Sequence, residues 1–97
     1  MPRYIVLANW TQKGMENIKE SPNRLDAARD AWRAMGGELK EFYLTMGQYD
    51  MALIVEAPDD ETVAKIALAT GAQGGVRTIT LRAFAEDEYR QIMAALP

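Results

Sequence analysis

Thr45 to Asp60 reads TMGQYDMALIVEAPDD, and this stretch decides the fold. Met51 to Ala57 is an apolar run that includes Ile54 and Val55 and is closed by Pro58. It is too short for an ordinary helix, which predicts a strand buried on both sides. Upstream, Gly47 offers a position where positive φ costs little, so the chain can reverse there. Phe42-Tyr43-Leu44 then pairs back onto the run as an antiparallel hairpin. Downstream, Asp59 or Asp60 can accept from the free amides at the start of a helix, and the acidic turn Asp59-Asp60-Glu61 suits that helix's dipole.

Working outward, Tyr4–Trp10 is apolar on both alternating faces except at Asn9, and reads as a first strand covered on both sides. Met15–Glu20 has room for a helical turn or two. Ser21 is a suitable N-cap and Pro22 suits the first helical position. Leu25, Ala28, Trp32 and Met35 follow at helical spacing, and Gly36-Gly37 ends that helix. Glu38–Met46 and Asp50–Ala57 are the hairpin strands, and Asp59 to about Thr70 is a second helix. Val76–Ala83 is a fourth strand, with Ile79 and Leu81 on one face and Val76, Thr78 and Thr80 on the other. Ala85–Leu96 is a last helix with apolar Tyr89, Ile92, Met93 and Leu96.

The order is β-α-β-β-α-β plus a helix. It predicts an α+β, ferredoxin-like fold: a four-stranded antiparallel sheet with its helices on one face, and residues 1–97 as a single domain. The strands carry apolar residues on both faces, so the uncovered face is expected to bind a second copy of the chain.

Composition narrows the chemistry. The chain has 97 residues, a net charge of −3, 48% hydrophobic and 26% charged residues, and neither Cys nor His. Folding a chain of this size buries roughly 65% of its unfolded surface, so help from a partner subunit is expected. No basic stripe is visible, which argues against nucleic acid as a partner. Without Cys there are no disulfides and no thiol chemistry. Without His the usual neutral-pH base and the common zinc sites are missing. No apolar run approaches the about 20 residues of a membrane span, and a cytoplasmic protein with no membrane partner is expected. No glycine pattern supports a nucleotide, and no cofactor is expected. Asp59-Asp60-Glu61 is read as helix capping, with no metal site.

Gly47-Gln48-Tyr49-Asp50 resembles the signature of the GYD domain family, with Gln48 inserted after the glycine. The likeness also takes in Tyr4-Ile5-Val6-Leu7, Trp10-Thr11, Ser21-Pro22 with Arg24, and Gly36-Gly37. It continues through Glu41–Met46 and Glu56–Glu61 to Val76-Arg77-Thr78 and Leu81–Phe84. The resemblance implies a ferredoxin-like fold similar to the dimeric α/β-barrel proteins, and it brings no established reaction.

Five residues are candidates for a pocket. Asp50 can serve as a base or ligand anchor beside Tyr49 as donor, or it can bond turn amides. Arg77 and Arg82 fall on opposite strand faces; either can pair with Glu56 or Glu41, and an Arg can grip a carboxylate with both its nitrogens. Trp10 and Tyr43 lie near strand ends, where they can line a cavity, whereas Trp32 reads as core. The residues therefore predict a homo-oligomeric binding or accessory protein that joins copies through its open sheet face and takes a small-molecule ligand. The alternative is a cofactor-independent oxygenase or isomerase with Trp10, Tyr43, Tyr49, Asp50 and Arg77 in an intersubunit pocket; it rests on fold analogy. Leu7→Arg and Ile54→Asp should each disrupt folding or association. Wild-type melting behaviour together with wild-type mass in either variant contradicts two-sided burial.

Overall fold

The computed structural model describes residues 1–97. Its elements in order are β1 (Arg3–Trp10), α1 (Gln12–Glu16), a 3₁₀ turn (Ile18–Glu20), α2 (Ser21–Ala34), β2 (Glu38–Leu44), β3 (Met51–Glu56), α3 (Asp60–Gln73), β4 (Val76–Ala83) and α4 (Glu86–Ala94). The strands form one antiparallel sheet in the order β2-β3-β1-β4, the ferredoxin-like arrangement.

Register assigns the faces. Tyr4 stands opposite Val55 and Arg82, and Val6 opposite Leu53 and Thr80. These residues point to the helices, where Tyr4, Val6, Trp32, Leu39, Val55, Ala57, Val63 and Ile66 form the core. Ile5 stands opposite Ile54 and Leu81, and Leu7 opposite Ala52 and Ile79, on the other face. A shift in pairing between Leu39 and Glu41 puts one extra residue into β2. Alternation then carries Glu41 and Tyr43 onto the open face beside Ile54 and Ala52.

The helix boundaries differ from the sequence reading in instructive ways. Ser21 is the first residue of α2 and not its cap. The 3₁₀ turn runs straight into the helix, so the Ser21 amide already bonds the Ile18 carbonyl, and Pro22 has no amide to satisfy. The first short helix likewise starts earlier, at Gln12, because the Thr11 side chain accepts from the Gly14 amide at 3.2 Å. Asp59 alone caps α3, accepting from the Thr62 amide at 2.8 Å and the Thr62 hydroxyl at 2.7 Å. Those bonds hold its carboxyl below the usual range. Asp60 instead accepts from the Tyr4 hydroxyl, and Glu61 pairs with Lys65 at 3.5 Å. The three acids therefore have three separate jobs. Gly36, at φ +83°, turns the chain out of α2 in the left-handed conformation.

The strand ends differ as well: β2 stops at Leu44 and β3 starts at Met51, so Asp50 lies in the turn. The expected cross-strand partner of Glu56 is likewise corrected. Arg3, directly opposite it on β1, makes the pair at 2.9 Å and lowers the Glu56 pKa. Arg82 lies over the rings of Phe84 and Tyr4, at 4.4 and 5.6 Å, and bonds the Arg3 carbonyl.

Burial, together with the bond to Asp60 and its charge, pushes the Tyr4 hydroxyl from 10.0 up to about 12. Folding therefore favours the protonated phenol. That stabilisation is complete below pH 10 and is lost as pH rises through about 12. An ultraviolet titration of the four tyrosines should show one ionising at about pH 12, and Tyr4→Phe should remove that step. An unchanged titration curve in Tyr4→Phe contradicts the assignment.

Candidate functional site

Two surfaces and one turn carry the candidate residues. The first surface is the sheet face that no helix covers. Its centre is Ile5, Leu7, Ala52 and Ile54, with Ile79 49% exposed, Leu81 46% and Tyr43 52%. Charged groups bound it at both ends: Arg3, Glu56 and Glu41 on one side, Arg77 beside Asn9 on the other. An apolar centre with a polar border is the pattern of an interaction surface. The chain's own tail does not relieve it. α4 makes few contacts with the other elements; its Tyr89, Ile92 and Met93, and Leu96 beyond its end, are about half exposed. The radius of gyration is 14.7 Å, against about 12.5 Å expected for a compact chain of this length.

The second surface lies on the helix side. At one end both helices pack into the core: Trp32 of α2 and Val63 and Ile66 of α3 cluster with Tyr4, Val6 and Val55. Small residues line much of the remaining gap, Ala28 and Ala31 on α2 and Ala67 and Thr70 on α3, beside the larger Leu25 and Met35. Such short side chains cannot interdigitate, and a groove of about 620 Å³ remains above β1 and β3. Its floor is Val6, Ala8, Met51 and Leu53, and its inner end is closed by Trp32, Val55 and Val63.

The turn is Thr45–Asp50. Gly47 takes φ +115°, a conformation that L side chains rarely adopt. The Thr45 amide bonds the Asp50 carbonyl at 2.8 Å, and the Thr45 hydroxyl bonds the Tyr49 carbonyl at 2.6 Å. Asp50 reaches past the turn to β1: its carboxylate accepts from the Trp10 amide at 3.0 Å, and its own amide donates to the Asn9 side chain at 3.0 Å. The Gly47-Tyr49-Asp50 signature thus locks the hairpin turn to the end of the central strand.

Within one protomer the five candidates are spread out. Trp10 lines the groove. Tyr49 and Asp50 stay in the turn. Tyr43 and Arg77 lie on the open face, on the two edge strands β2 and β4, three strand spacings or about 14 Å apart. Sequence reasoning passed over Lys13 and Arg24, which the fold brings to the mouth of the groove. A side chain grafted at Gly74 would meet the Lys13 Nζ at 3.6 Å, and one at Gly75 the Arg24 Nη1 at 3.6 Å. Nothing in the local sequence pairs these cations; they sit on different helices, and only tertiary packing brings both to Gly74-Gly75.

The GYD domain profile matches residues 4–93. The chain belongs to the GYD domain family. It is 36% identical over 84 residues to the glutamine synthetase and cystathionine beta-lyase binding protein of Thermus thermophilus, a match spanning 86% of this chain and 88% of that protein. It is similar in structure to TTHA0845, a crystal structure from the same organism, with a TM-score of 0.52, 27% identity, and coverage of 88% of this chain and 95% of the other. No helix of the chain is long and apolar enough to cross a membrane. In this GYD domain protein the signature's Asp has a specific structural task, which a substitution can measure. Asp50→Ala should lower unfolding stability in urea by about 1–2 kcal/mol through loss of the bond to the Trp10 amide. Asp50→Asn, which keeps an acceptor, should lose less. Equal stability of all three proteins contradicts the role.

Proposed function

We propose that the chain is a cytoplasmic, self-associating accessory protein that acts by binding enzymes. The observation that carries the reading is the uncovered apolar sheet face. Burying a surface of that kind against a second copy removes both apolar faces from water at once. On this reading Tyr43 and Arg77 lie in the interface, where the edges of two sheets meet. The helix layer and α4 remain free for other partners. The relative from Thermus thermophilus supports enzymes as those partners, since its name records binding to glutamine synthetase and cystathionine beta-lyase.

The protein should run as more than one subunit by native mass spectrometry at micromolar concentration. Ile79→Glu places a charge in the half-exposed part of the sheet face. It should give monomers with unchanged far-ultraviolet circular dichroism. A monomeric wild-type protein, or an Ile79→Glu variant of full mass, overturns self-association through this face. Enzyme binding is tested separately by titrating labelled protein with glutamine synthetase purified from the same organism. Absence of a saturable signal at ten micromolar counts against that partner.

A further inference from the structure

We infer that the groove between α2 and α3 binds a free, unbranched monocarboxylate with its hydrocarbon chain inside and its carboxylate held at the Gly74-Gly75 mouth by Lys13 and Arg24. Three observations support this. First, the volume of about 620 Å³ falls in the range of pockets that enclose one small ligand, and 18 of its 27 lining residues are hydrophobic. Second, its charged lining has one sign: Lys13, Arg24 and Lys65, with no acid among the lining residues. Third, the three cations differ in what they are committed to. Lys65 is paired with Glu61 at 3.5 Å. Lys13 donates to the Gln73 carbonyl at 3.1 Å, which leaves ammonium protons over, and neither Lys13 nor Arg24 joins an ion pair. Both free cations stand at one end, beside Gly74 and Gly75, while the far end closes on the apolar core.

That polarity selects the ligand. A long apolar slot with a cationic mouth suits an amphipath with an anionic head and one chain. It does not suit a sugar phosphate, which needs polar walls. The groove is built by one protomer, so the inference stands or falls apart from self-association through the sheet face.

Calorimetric titration of the full chain with octanoate, decanoate and dodecanoate tests it. Affinity should rise about fourfold per methylene until the slot is filled. Dodecanol, which lacks the charge, should bind at least tenfold more weakly than dodecanoate. Arg24→Glu should weaken dodecanoate tenfold or more and leave dodecanol unchanged. Ala28→Trp should abolish both; if that variant misfolds by circular dichroism, Thr70→Trp blocks the slot from the other wall. Absence of saturable binding overturns the inference. So does equal affinity for the acid and the alcohol, or full dodecanoate binding in the correctly folded filled variant. Binding that appears only in Ile92→Glu overturns it too, by assigning the groove to α4 of a second copy.

Discussion

The structure depends on one imbalance: a four-stranded sheet that is apolar on both faces and has helices on only one. β1 is central to it. It pairs with β3 and β4 along almost its whole length and sends Tyr4, Val6 and Ala8 one way and Ile5 and Leu7 the other. Backbone pairing satisfies the strand's amides and carbonyls without regard to face. Side-chain burial is a separate matter, and on the open face it is incomplete. Only eleven of the 97 residues are buried, so the isolated protomer leaves much of its apolar surface in water.

The helix layer shows a second form of the same shortage. α2 and α3 meet across small residues, and the space between them stays open instead of filling with interdigitated side chains. At the closed end, Trp32 and Val63 pack over Val55 and Tyr4, and the sheet is anchored there by the Tyr4–Asp60 bond and the Arg3–Glu56 pair. At the other end, Lys13 and Arg24 stand beside Gly74 and Gly75. The turn that carries the family signature is, by contrast, tied down at both its ends. Asp50 is spent on the Trp10 amide and Thr45 on the Tyr49 carbonyl.

Much of the fold was legible because its signals are local. Apolar runs of strand length, Pro58 after Ala57, Gly47 in the turn and Asp59 before α3 each act within a few residues of themselves, and all four strands and the three longer helices stand close to where those signals place them. Ser21 failed as a cap for a local reason hidden by a neighbour: the preceding 3₁₀ turn already supplied an acceptor. The Glu56 partner could not be read from alternation. Alternation gives the face, but register across β1 and β3 decides that Arg3, and not Arg77 or Arg82, stands opposite.

By itself the sequence determined the element order, the two-sided strands and the one-sided helix cover, since periodicity and turn chemistry are properties of neighbouring residues. Only the tertiary structure decided that α4 makes few contacts with the rest of the chain, that a groove stays open over β1 and β3, and that Lys13 and Arg24 converge on Gly74-Gly75. Those outcomes depend on how side chains distant in the chain fill or fail to fill shared space, and a pattern read along the chain carries no measure of that volume.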